Sequence, residues 1–129
     1  MKRLFAAALA CVALSVPALA DHPVEGLWQT EVDDGAYAYV KIAHCEEALC
    51  GTITRTFNGD GEYRSPNIGR MLVIDMMPNG ENKYRGQVWR PSNDKVYIGK
   101  MTHNGNGLKL RGCVAGGLLC SAQDWVRVQ

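Results

Sequence analysis

The sequence predicts an all-β domain, an eight-stranded antiparallel up-and-down barrel, with a two-sheet β-sandwich as the alternative. Three observations carry that expectation. Short runs alternate apolar and polar residues with a period of two. Turn residues punctuate them at intervals of about 10 to 15 positions, and no run shows the apolar spacing of an amphipathic helix.

The first run, Gly26 to Val32, stops at Asp33-Asp34-Gly35, where Asp-Gly supplies the positive φ of a tight turn. Ala36 to His44 is the second, with Ala38, Val40 and Ile42 on one face and Tyr37, Tyr39 and Lys41 on the other. Glu46 to Leu49 form a turn, and Cys50 to Phe57 return with Thr52, Thr54 and Thr56 on a common face. The stretch NGDGEYRSPNIG, Asn58 to Gly69, is too rich in Gly, Asn, Asp and Pro for regular structure over most of its length. Arg70 to Met77, Lys83 to Arg90 and Lys95 to His103 are the next runs, separated by Pro78-Asn79-Gly80 and by Pro91 to Asp94. The NGNG signal at Asn104 to Gly107 leads into Leu108 to Val114, where Leu108 and Leu110 alternate with Lys109 and Arg111. Ala115-Gly116-Gly117 then bends the chain into the last run, Leu119 to Val128. Sequential antiparallel runs can close on themselves and so remove exposed edges. Alternation alone does not separate barrel from sandwich, or say which face points inward.

Ahead of these runs stands MKRLFAAALACVALSVPALA, with Lys2 and Arg3, an apolar stretch and a small-residue end. This pattern predicts a signal peptide over residues 1–20, cleaved near Ala20, and a single β-barrel domain over 21–129 that is periplasmic or secreted. Cys11 raises lipid attachment, but Ala8 stands where such a site wants Leu. No stretch reaches the roughly 20 apolar residues of a stable membrane span. The whole chain carries a net charge of +1, and losing Lys2 and Arg3 brings it near −1. The remaining basic residues are scattered. Neither nucleic acid nor an anionic membrane has a field to respond to.

Cys45, Cys50, Cys113 and Cys120 remain after the leader. In an exported chain they read as two disulfides with three connectivities open. Cys45–Cys50 and Cys113–Cys120 are favoured because each pair flanks a tight turn. A zinc site is the rival, at spacings wider than such sites usually have.

Several motifs resemble one bacterial exported family, domain of unknown function 2147. They are Gly26-Leu27-Trp28, Cys45 with Cys50-Gly51, and YRGQVWRPSNDKVY, which holds Tyr84, Gly86, Trp89, Pro91, Asp94, Lys95 and Tyr97. Leu108, Leu110, Gly112, Cys113 and the closing Gln123-Asp124-Trp125-Val126-Arg127 complete them. The resemblance implies a compact, periplasmic lipocalin-like barrel and no particular reaction. In such barrels a Trp near the start of the first strand plugs one end, and a late Arg lies across it. Trp28 and Arg127 stand in those positions, and Gly26 and Trp125 are assigned to the same closure.

Tyr37, Tyr39, Tyr84, Trp89 and Tyr97 are the expected ligand contacts, since Tyr and Trp join a large apolar body to one polar tip. The competing reading is that they fill the core or sit in rows outside. Met71, Met76, Met77 and Met101 raise copper, but methionine also fills irregular core space. His22 and His44 are expected to be solvated. The Asn58 to Glu62 stretch lacks the end ligands of a calcium loop. Ser65, Ser92 and Ser121 have no nucleophile elbow. The expectation is a non-enzymatic binder of a small apolar or amphipathic ligand, lipid-derived ones included, with no metal and no cofactor. The alternative is an envelope protein–protein interaction module without an internal ligand. The sequence names neither the ligand nor a protein partner.

Overall fold

The computed structural model describes residues 22–129; the expected signal peptide and its cleavage point lie outside them. The strands are β1 (Gly26–Gln29), β2 (Ala36–Cys45), β3 (Ala48–Asn58), β4 (Gly61–Tyr63), β5 (Met71–Pro78), β6 (Lys83–Arg90), β7 (Lys95–Asn104), β8 (Gly107–Val114) and β9 (Leu119–Arg127). A single 3-10 turn, Ala115–Gly117, joins the last two. No helix among the described residues is long and apolar enough to cross a membrane.

Hydrogen bonding runs β2-β1-β9-β8-β7-β6-β5-β3, and β3 pairs back onto β2. That ring is a closed, eight-stranded antiparallel barrel, because β4 pairs only with β3. A sandwich would leave the ring open. The closing seam is short: Trp28 pairs with Arg127 and Gln29 with Val126. Beyond the end of β9, the Leu27 amide donates to the Gln129 carbonyl and the Val128 amide to the carbonyl of Leu27.

The apolar face of each run points inward. Trp28, Val40, Ile42, Leu49, Ile53, Val73, Met76, Met101, Leu108 and Trp125 form the buried core. The expected face of threonines breaks at a bulge. Val40 pairs with Ile53 and Tyr39 with Arg55, so Thr54 has no partner across the ladder. The extra residue reverses the parity of the rest of β3, and Thr56 is buried opposite Ala38 while Thr54 is exposed. The stretch after Asn58 is less irregular than its composition suggests, because Gly61 to Tyr63 add a short strand against β3.

The disulfides are Cys45–Cys50, across the β2–β3 hairpin, and Cys113–Cys120, between directly paired residues of β8 and β9. Each closes a small loop, worth about 2 to 2.5 kcal/mol in the chain-entropy account. Both suit an oxidising compartment.

Glycines set how closely neighbouring strands approach. A bulge between Ile74 and Met77 brings β5 backbone onto β6. A Cβ on Gly86 would sit 2.5 Å from the Asp75 carbonyl oxygen and 2.6 Å from that of Ile74. Gly112 is different, since its Cβ would meet only side-chain atoms at 3.5 Å. Gly86→Ala is therefore expected to destabilise by about 1 to 3 kcal/mol, the usual cost of overpacking. Gly112→Ala should leave the urea midpoint unchanged or slightly raised. Equilibrium urea unfolding of the two variants side by side checks both.

Candidate functional site

The two ends of the barrel differ. At one end the chain before β1 folds under the barrel, with Val24 fully buried beneath Trp28. The Trp28 indole N–H donates to the Val24 carbonyl at 2.8 Å. The Arg127 guanidinium lies 4.4 Å from the Trp28 ring centroid, in cation–π geometry. Its nitrogens also donate to the carbonyl oxygens of Glu25, at 2.9 Å, and Pro23. Gly26, at φ 136°, lets this happen, because a Cβ there would strike the Gln129 carbonyl and Arg127 itself. His103 approaches Trp28 edge-on, its ring centroid 6.0 Å away. This end is shut.

Tyr84 belongs to the shut end. Its hydroxyl is 3.2 Å from Nδ1 of His22. Burial, and then the charge of Glu25, push its phenol above the ordinary tyrosine range. The expectation that His22 and His44 are solvated does not hold here. Both ring nitrogens of His44 are buried without a hydrogen bond, although a Glu25 carboxylate oxygen lies 3.4 Å from Nε2. The N-terminal segment folds over this end and covers them, which the local sequence gives no sign of. Cys45, Cys50 and Asp75 come together nearby, but both sulfurs are committed to the disulfide.

The other end holds a cavity of about 760 Å³. Its apolar wall is Ala38, Ile53, Leu72, Val88 and Leu110, and Thr30, Thr56, Ser65, Ser121 and Gln123 add polar groups. The segment after β4 contributes Ser65 and Asn67, held by an Asn67 amide to Ser65 Oγ hydrogen bond of 3.0 Å. Two turns meet across the mouth. Arg90 donates to both carboxylate oxygens of Asp33, each at 2.9 Å, and the Ser92 hydroxyl donates to one of them. The bond from Arg90 holds the Asp33 carboxyl below its ordinary range, and Asp33 in turn raises the guanidinium.

The family described as "Uncharacterized protein conserved in bacteria", domain of unknown function 2147, matches residues 26–127. The chain belongs to this family. Among solved structures, the fold of this chain is similar to that of HP1028 from the human pathogen Helicobacter pylori, a protein of the lipocalin family. The TM-score is 0.65 at 16% identity, over 81% of this chain and 82% of that one. No curated protein matches the chain.

Within this family fold the expected aromatic contacts separate. Tyr97 lines the cavity, and its hydroxyl accepts a 2.8 Å bond from the Asn93 amide. Trp89 borders it too, with Arg70 3.7 Å from its ring centroid and its indole N–H donating to Asp94. Tyr37 reaches the mouth while stacking on Phe57 at 4.8 Å. Tyr39 pairs with Arg55 on the outer wall, and Tyr84 stands at the shut end. Trp125 is buried opposite Leu108, its N–H donating to the Gln123 side-chain oxygen at 2.9 Å. Gly26, Trp28 and Arg127 meet at the shut end.

Aromatic content singled out residues on both faces of the sheet. The better signal was inward parity combined with small size, as at Ala38 and Gly112, where the wall recedes.

Trp28→Ala should cost about 3 to 5 kcal/mol of folding stability, and Arg127→Leu a smaller amount. Chemical denaturation measures both. Acid should act on the mouth. Asp33 has a depressed folded pKa, so its contribution is complete above the unfolded value of about 4 and is lost as pH falls through the lower folded one. Because the pair is solvent-exposed, Arg90→Gln should lower the urea midpoint only slightly at neutral pH. That difference from the parent should vanish in strong acid, as read from urea midpoints across the acid range.

Proposed function

We propose that the chain is exported through a signal peptide, residues 1–20, cleaved near Ala20. As residues 21–129 it works in the periplasm or outside the cell, binding one small apolar or amphipathic ligand without catalysis. The observation that carries this reading is the cavity of about 760 Å³ at one end of a barrel whose other end is plugged. Its size falls within the range of small-molecule sites, and a small closed barrel with one open mouth suits a single ligand. The apolar wall would take a hydrocarbon portion, while Tyr37, Trp89, Tyr97 and the polar lining would meet the head.

The second reading, a surface for another envelope protein, draws on Val32, Leu118 and Leu119. These side chains are exposed at the loops of the open end. A patch there would also serve delivery of a ligand, so occupancy of the cavity is what separates the readings.

Native mass spectrometry of protein purified from a bacterial periplasm should show a reproducible extra mass that denaturation removes. Gly112→Leu projects a side chain into the cavity from a position whose backbone and Cβ tolerate it. It should abolish the extra mass with little change in urea midpoint. A clean spectrum of unliganded parent protein under gentle conditions sinks the carrier reading.

A further inference from the structure

We infer that the cavity selects an uncharged acyl amphiphile, an ester or amide whose oxygens accept hydrogen bonds, and rejects the corresponding fatty-acid anion. This rests on the carrier reading and adds to it the charge and polarity of the head.

The first ground is the cavity's charged residues. Among the described residues that line it, Arg90 is the only cation, Arg70 lying on the Trp89 ring and not in the lining; the acids are Glu31, Asp33 and Asp34. Arg90 is not available as a counterion, because both oxygens of Asp33 already hold it in a two-pronged pair. A carboxylate entering this space would lose water and find no opposing charge, and an unpaired buried charge is among the costliest arrangements in a protein. Glu31 and Asp34, exposed at the same mouth, add repulsion.

The second ground is the supply of donors. Gln123 accepts from the Trp125 indole through its carbonyl oxygen, so its amide hydrogens remain. Tyr97 accepts from Asn93, and Ser65 accepts from the Asn67 amide; each keeps its own O–H to give. All three line the cavity. Unspent donors, with no free cation among the described lining residues, match ester or amide oxygens, with hydrocarbon against Leu72, Val88 and Leu110.

The test is competition against a neutral fluorescent probe, N-phenyl-1-naphthylamine, bound to the full mature protein. Monolauroylglycerol and laurate share one hydrocarbon tail and differ in the head. At about pH 8, where the carboxylate is ionised, monolauroylglycerol should displace the probe at least about tenfold more effectively. Asp33→Asn frees Arg90 and should bring laurate to within a few-fold of the ester. Asp34→Asn lowers the mouth's negative charge equally but leaves Arg90 paired, and should not. Equal displacement by both lipids in the parent overturns the inference while leaving the carrier reading standing. If the probe binds nowhere and neither lipid protects against thermal unfolding, the carrier reading fails and the inference falls with it.

Discussion

The seam between β1 and β9 is the contact on which the barrel depends. It has two paired positions, the fewest between any two ring neighbours, and one of them joins Trp28 to Arg127. Hydrogen bonds alone would leave this the weakest line in the cylinder. The sequence compensates with side chains on the inner side of the seam. Trp28 fills the barrel end, Arg127 lies on its ring, and the guanidinium reaches the carbonyls of Pro23 and Glu25. A guanidinium suits the role because its planar fork can stack on the indole and still donate in its own plane. The N-terminal segment and β1, adjacent in sequence, are thereby tied at one point to the distant end of β9.

Plugging one end decides what the rest of the interior can be. Trp28, Trp125, Met76 and Met101 use the volume near the shut end, and Gly99 gives Met76 its room, since a Cβ there would sit 2.5 Å from the thioether methyl. Toward the mouth the inward positions shrink to Ala38, Thr56 and Gly112, and the cavity is what those small residues leave. Stability and vacancy are therefore divided along the barrel axis. The plug carries the large burial terms, so the open half can forgo them.

Much of this was legible in the sequence. Each of the eight runs became a ring strand, and both cysteine pairs are where the turns suggested. Period-two alternation survives because strand parity is a local property. What was not legible is non-local. The bulge at Thr54 moves Thr56 inward, and nothing in TITRTF announces where parity will slip. Tyr37 and Tyr39 share one face by parity, yet only Tyr37 reaches the mouth. Tyr84 looks like Tyr97 in sequence, but they lie at opposite ends of the barrel because β6 and β7 run antiparallel. Position along the axis is set by closure, which no single run encodes.

The mouth shows the same logic with charge in place of volume. A cavity entrance in a small barrel is built from turns, and turns are the least restrained part of the sheet. The Asp33–Arg90 pair spans from the β1–β2 connection to the end of β6, bracing two turns that no strand pairing joins. An apolar clasp could do this too, but it would add to the exposed Val32, Leu118 and Leu119 already present there. Using an ion pair keeps the entrance soluble and directional while cancelling its own charge. The consequence is chemical: the guanidinium most favourably placed to greet an anion is already occupied in holding the entrance in shape.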